Sequence, residues 1–347
     1  MAFAAPSPSI EPASMLKIAL VADELTRACL TPECRLVDVP PLTTTWGFHR
    51  FLSAARPDML LVESTWQGPA QSWRYRVASY PRHAWLRSNR RLRLLVRVAR
   101  DMGIPTVFWN KEDGVHFDRF IASARLFEHV FTVDANCLDR YRAVMGAQAS
   151  VHVLPFPVQP AYHRFTGFAF RHHQAAFVGS YSTHIHQTRR AWQDMAFSAA
   201  LDSGLGLTVY DRNSARPSRI YRYPQWEGLA VHPAVAHCET ARIYKDHVAS
   251  LNVNTVTDSA TMFSRRLVEI LACGGIAVTS ASRSVDALFA PYCHVVRDAD
   301  EARDLFARLR HGPAPDDLDR ARAGAAHVAA HHTWDQRLAE IAAVVRV

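Results

Sequence analysis

Long apolar runs are missing from this sequence of 347 residues. No uninterrupted stretch approaches the roughly 18 residues a spanning helix needs. The Pro- and Ser-bearing opening, residues 1–14, lacks the charged start and apolar core of a secretory signal and reads as a disordered lead-in. Cysteine is scarce: Cys29, Cys34, Cys137, Cys238, Cys273 and Cys293 show no paired zinc-type spacing and are too few for a disulfide framework. A reducing cytoplasm is the expected setting. The histidine groups His172-His173, His184 with His186, and His331-His332 are adjacent or alternating, not three or four apart on one helical face, so no metal is expected. A Gly-x-Ser-x-Gly elbow is absent, which argues against a hydrolase of that type.

What is present describes a globular chain. Half of it is apolar (49%) and only 21% is charged, which excludes intrinsic disorder. The length favours two domains over one. A net charge of +8 favours anionic partners, yet no nucleic-acid module or basic tail accompanies it, so nucleic acid is not expected as a partner. Between Ser64 and Arg100 acidic residues are absent while arginines accumulate from Arg74 to Arg100. That region reads either as a crossover helix with a basic outer face or as a contact for an anionic acceptor or the inner face of a membrane.

From Leu16 onward, short apolar runs alternate with segments of helical period, the pattern of parallel strands joined by crossover helices. Six strands are expected at Leu16–Val21, Arg35–Val39, Met59–Val62, Ile104–Trp109, His129–Val133 and Val151–Leu154, with helices near Phe48–Ala55, His83–Met102, Phe117–Arg125 and Cys137–Met145. Pro155, Pro157 and Pro160 then break the pattern. It restarts with strands at Ala175–Val178, Leu207–Tyr210, Leu229–His232, Leu251–Asn254, Ile276–Thr279 and His294–Val296, and helices at Thr188–Leu201, Ala236–His247 and Met262–Cys273. Three helices, Asp300–Arg310, Asp316–Ala330 and Thr333–Val345, end the chain. The fold class is α/β, two Rossmann-like doubly wound domains facing a cleft. The divisions are 15–158, 159–330 and a final helix, 331–347, crossing back on the first domain.

The most informative segment is Ser250 to Ser280. A buried strand ending at Asn254 runs into a polar loop that closes with Thr261, Met262, Phe263 and Ser264. The next helix carries Arg265, Arg266 and Glu269 near its start, an arrangement suited to an anion beside a carboxylate. An ordinary same-face ion pair is the alternative. In the second half's first turn, Gly179, Ser180, Tyr181 and Ser182 precede a helix bearing Arg189 and Arg190, where backbone amides meet a phosphate in such folds. Only one glycine is present there, which disfavours NAD. Tyr210, Asp211 and Arg212 follow the next strand and are placed to border a base.

The run FSRRLVEILACGG resembles the nucleotide-sugar segment of group 1 glycosyltransferases of GT-B architecture, and more narrowly the CgeB-like (spore maturation protein) group. The first half is similar to the domain that accompanies such transferases, through VESTWQG with WRY, FWNKED, FDRF and FTVDAN. The resemblance implies that Glu269 binds the ribose, that the helix start with Arg265 and Arg266 holds the diphosphate, and that the 179–182 loop meets the diphosphate or the donor sugar. It also implies no bound metal and no cofactor beyond the nucleotide sugar. Many retaining members carry a second glutamate eight residues before the first; here that position is Thr261.

If the transfer inverts the anomeric carbon, a carboxylate must accept the proton of the acceptor hydroxyl. Asp113, Glu112 and Glu63, at strand ends facing the expected cleft, are the candidates. Each has a structural alternative: pairing with Lys111, capping the following helix, or anchoring a loop. The function expected is transfer of a sugar from a nucleoside diphosphate sugar to an acceptor hydroxyl. A sugar-nucleotide epimerase or phosphorylase on the same fold, or an inactive carbohydrate- or lipid-binding module, are the alternatives.

Overall fold

The computed structural model of the protein describes residues 16–81 and 87–347. The first half contains β1 (Lys17–Val21), α1 (Glu24–Leu30), β2 (Arg35–Asp38), α2 (Thr45–Ala55), β3 (Met59–Glu63), α3 (Arg90–Asp101), β4 (Thr106–Asn110), α4 (Phe117–Ala124), β5 (His129–Thr132), α5 (Leu138–Met145) and β6 (Ser150–Val153). The second contains β7 (His172–Gly179), α6 (Gln187–Asp202), β8 (Leu207–Asp211), β9 (Leu229–Pro233), α7 (Thr240–Asp246), β10 (His247–Asn252), α8 (Arg265–Ala272), β11 (Ala277–Ser280), α9 (Arg283–Leu288) and β12 (His294–Val296). Helices α10 (Ala299–Leu309), α11 (Pro315–His331) and α12 (Trp334–Val345) close the chain.

Each half forms a six-stranded parallel sheet, ordered β2-β1-β3-β4-β5-β6 and β12-β11-β10-β7-β8-β9. Strand order reverses beside β1 in the first sheet and between β7 and β10 in the second. Loops leaving the carboxyl ends at those points open the crevices in which such sheets bind ligands. The central strands are apolar because helices cover both faces: every residue of β3, β4, β10 and β11 is buried. Helix α3 shows why its sequence alternates Leu and Arg: Leu92, Leu95, Val96 and Ala99 are buried at helical spacing while the arginines between them face outward.

The strand pattern legible in the sequence is recovered, with several differences, among them a β7 that begins at His172, three residues before the expected Ala175. Helix α3 begins at Arg90 instead of His83, and residues 82–86, like the expected lead-in 1–14, lie outside the described residues. Asn89, just before it, donates to Ala122 O and Ser123 Oγ at 3.1 Å each, tying the start of α3 to α4. Strand β10 begins at His247, four residues early, because 247–250 is buried and pairs with β7. The helix expected from Ala236 is split into a 3-10 turn, His237–Glu239, and the shorter α7. Helices α1 and α9, of 7 and 6 residues, carry too few turns to show a period.

The chain end meets the first half directly. The Val158 amide donates to His332 O (2.7 Å), the Trp334 amide donates to Val158 O (3.1 Å), and the Trp334 ring sits edge-on to Trp109 of β4 at 5.3 Å. Arg337 donates from Nε to Pro155 O at 3.0 Å, fixing α12 to the segment between the sheets. Among the described residues no helix is long and apolar enough to cross a membrane.

Candidate functional site

Between the carboxyl ends of the two sheets lies a cleft of about 520 Å³. One wall is the turn after β7 (Val178, Gly179, Ser180) with Arg189, Tyr210 and Arg212 behind it. The floor is the loop after β10 and the start of α8, with Asn254, Met262, Phe263, Ser264, Arg265, Arg266 and Glu269. His237, Thr240 and Tyr244 close one end, and Leu25, Glu112 and Phe156 come from the opposite side. Ten of the thirteen residues read from the sequence as ligand-binding therefore meet in one cavity.

The other three lie elsewhere. Tyr181 and Ser182 line a smaller adjoining cavity. Thr261 joins the two halves: its hydroxyl donates to Val133 O (3.0 Å) and accepts from the Ala135 amide (2.9 Å). The position at which many relatives of the resembled family carry a second glutamate is thus a bridge between domains here.

The start of α8 is held by side chains. Asn254 Oδ1 accepts from the Ser264 amide at 2.9 Å, and the Asn254 amide donates to Ser280 Oγ at 3.0 Å. Arg266 donates to Val178 O (2.5 Å) and lies over the Phe177 ring at 4.5 Å, while Arg265 lies over Phe156 at 5.2 Å. Gly179 is required by that approach: a Cβ there would sit 2.7 Å from Arg266 Nη2 and 2.8 Å from the Phe177 ring. Arginines crowd this wall. Burial, then the charges of Arg266 and Arg212, push the Arg189 pKa down to about 10, and its Nε is buried with no hydrogen-bond partner among the described residues.

Glu269 is 6% exposed, with Oε1 2.8 Å from His237 Nε2. Burial opposes its ionisation, but the His237 hydrogen bond and the charges of His163, His237 and Arg265 outweigh that and bring its pKa to about 2. A fixed carboxylate thus stands at the edge of a basic wall. Sequence reasoning missed His237 and His163, which lie 32 and 106 positions before Glu269. One nitrogen of each ring and one Glu269 oxygen fall within 4.8 Å of one another, a set that suits a metal ion. The spacing argument weighed other histidines; His163 and His237 come from the segment between the sheets and a 3-10 turn, so no local spacing marks them. In the structure the His237–Glu269 hydrogen bond already joins two of those donors.

The carboxylates of the first half separate clearly. Glu112 lines the cleft, with its side chain 27% exposed and His116 Nε2 4.0 Å away. Glu63 does not reach it: buried at the end of β3, it accepts from Thr26 Oγ1 (2.6 Å), Lys111 Nζ (2.9 Å) and the Asp23 amide. Asp113 is likewise enclosed, accepting from Asn110 Nδ2 (2.6 Å) and Tyr141 OH (2.8 Å). These two serve the turn after β4, which sets Lys111 and Glu112. Gly114 in that turn, at φ +82°, touches the opposite loop so closely that a Cβ would meet Val256 at 2.9 Å and Met262 at 3.0 Å.

Comparison with known proteins bears on the fold. Residues 189–343 match a family model described as glycosyl transferase-like. No curated protein matches the sequence. Among solved structures, HepE of Anabaena in complex with UDP and glucose aligns with a TM-score of 0.56 at 9% identity, over 95% of this chain and 91% of that one. Sucrose-phosphate synthase of Thermosynechococcus elongatus aligns at 0.54 and 11% identity, over 98% and 86%. The α,α-trehalose 6-phosphate synthase of Burkholderia multivorans gives 0.53 and 12%, over 87% and 74%. At such identities the likeness speaks to the fold, two parallel-sheet halves facing a cleft, and residues 189–343 of the second half match the glycosyl transferase-like model.

Proposed function

We propose that the protein is a CgeB-like glycosyltransferase that moves a sugar from a nucleoside diphosphate sugar to an acceptor hydroxyl, with the nucleotide held by the domain running from about residue 159. The observation that carries this reading is the meeting of one ionised carboxylate, Glu269, with Arg265, Arg266 and the Gly179–Ser180 turn in a single cleft. Ribose hydroxyls donate hydrogen bonds to a carboxylate, and a diphosphate takes guanidinium groups and helix-start donors. Glu269 therefore holds the ribose. Arg265, Arg266 and the amides around Ser180 stabilise the charge that grows on the departing diphosphate as the glycosidic bond breaks.

The acceptor enters from the first half. Glu112 is the only one of its three candidate carboxylates that lines the cleft, so it is the group placed to take the acceptor proton if the transfer inverts. The chemistry on this reading needs no metal. Closing the halves through the Gly114 contact excludes water and aligns acceptor with donor. Calorimetry with UDP, GDP, dTDP, ADP and CMP tests the reading: one nucleotide binds, and Glu269→Ala abolishes that binding while the chain stays folded. Unchanged affinity in Glu269→Ala would overturn it.

A further inference from the structure

The small cavity beside the cleft has no place in the transfer just described. It measures about 200 Å³ and shares Ser180, Arg189 and Arg212 with the cleft. Beyond those shared residues, Arg190 and Arg216 line it, and among the described residues no carboxylate does. Arg190 donates to Ser182 O (3.3 Å) and Thr183 O (2.5 Å), and Arg216 lies over the Tyr221 ring at 5.0 Å. Asp211, at the end of β8, faces Arg222 at 3.6 Å, and Asp194 accepts from the Tyr181 hydroxyl at 2.7 Å.

Among the described residues Arg189 Nε, on the wall shared by both cavities, is buried without a hydrogen-bond partner. Unsatisfied donors in a buried position are costly unless a ligand takes them.

Charge gives the class of ligand. Among the described residues, six guanidinium groups line the two cavities together against two carboxylates, Glu112 and Glu269. A nucleoside diphosphate sugar has one ionised oxygen on each phosphate and balances two of the four surplus charges. About two remain, which is the charge of a phosphate monoester near pH 7. We infer that the cavity formed by Arg189, Arg190, Arg212 and Arg216 binds a phosphate monoester alongside the donor diphosphate. The inference rests on the cleft being the nucleotide-sugar site. Arg189 and Arg212, facing both cavities, then couple the two ligands, since a negative charge in either place relieves the repulsion among the same arginines.

Titration of the full chain with inorganic phosphate tests this, with and without saturating nucleotide. Phosphate is expected to bind in both conditions. Arg216→Ala should weaken phosphate about tenfold, the loss of one charge-assisted contact, and leave nucleotide affinity within about twofold. Because Arg190 also ties the 182–183 loop, Arg190→Ala serves as the second variant, checked for an unchanged melting profile. Phosphate that nucleotide displaces competitively, or phosphate affinity unchanged in both variants, overturns the inference. The apo titration keeps the outcomes separate: Arg216-dependent phosphate binding stands even where no nucleotide binds, and nucleotide binding without it removes only this inference. Glucose 6-phosphate as a second probe locates the source. Tighter binding than inorganic phosphate assigns the group to an organic ligand, and equal binding assigns the site to the free ion.

Discussion

His237 Nε2 lies 2.8 Å from Glu269 Oε1, and since the carboxylate is ionised down to about pH 2, the nitrogen carries the proton and donates it. A 3-10 turn ahead of α7 thereby orients a side chain on α8. Ribose recognition on the proposed reading needs that orientation, because a carboxylate free to rotate loses part of its hydrogen-bond energy to ordering.

His237 is therefore a positioning residue for Glu269. His237→Phe should weaken binding of the preferred nucleotide by about tenfold, the worth of one hydrogen bond to a charged group, and His237→Gln should recover most of it. Calorimetry on both variants reads the difference. Equal losses in Phe and Gln would assign His237 a packing role only.

Gly179 is the point at which backbone and guanidinium meet. A Cβ would stand 2.7 Å from Arg266 Nη2 and press on Phe177, so Gly179→Ala must displace Arg266. Nucleotide affinity should fall at least about tenfold if the displaced charge is a diphosphate contact. The cost to stability should be smaller, because a flexible side chain end gives way more easily than backbone. Parallel calorimetry and thermal melting separate the two effects. A large drop in melting temperature with unchanged affinity would contradict the placement of the diphosphate.

Much of this was legible in the sequence, for identifiable reasons. Buried parallel strands are continuous apolar runs, so the central ones appear as such, while β2 and β9, exposed or half-buried along their length, are read from short apolar stretches, and strand ends shift where residues such as Asn110 and Gly179 finish a strand. The α8 segment carries its chemistry within a few positions, so Arg265, Arg266 and Glu269 stand together in sequence and in space. His163 and His237 could not be found that way, because the contact is made by folding and no local period marks it. Nor does the order Asn110-Lys111-Glu112-Asp113 tell which carboxylate points outward. That depends on Tyr141 and Asn110 enclosing Asp113, and on Lys111 turning inward to Glu63.

The inward turn of Lys111 underlies a stability prediction. Its ammonium lies 2.9 Å from Glu63 Oε1 and 3.1 Å from Asp23 Oδ2. Burial works against its charge, but Glu63 and Asp23 overcome this and hold its pKa above the usual lysine value. Lys111→Met leaves Glu63 buried and uncompensated, which should cost about 3–5 kcal/mol. Urea unfolding checks it. A shift below about 1 kcal/mol would mean that water reaches the pair and screens it.

Asp113 makes the stability of the chain depend on pH in the opposite sense from most carboxylates. Burial lifts its pKa to about 7, against lowering hydrogen bonds from Thr132 and Tyr141 and with a further rise from Asp134; its ordinary value is 3.8. Between about pH 4 and 7 the native chain therefore holds a proton that the unfolded chain has released. Stability contributed by this group is complete below the unfolded value, declines as pH rises through that window, and changes no further above it. Asp113→Asn keeps a carbonyl acceptor between Asn110 and Tyr141 but carries no charge, so it removes the slope. Relative to the parent chain the variant should gain stability between pH 5 and pH 8. Urea midpoints at the two pH values measure this directly. A difference between variant and parent that is the same at both would show that Asp113 is ionised in the native state throughout, and that the turn carrying Glu112 tolerates a buried negative charge.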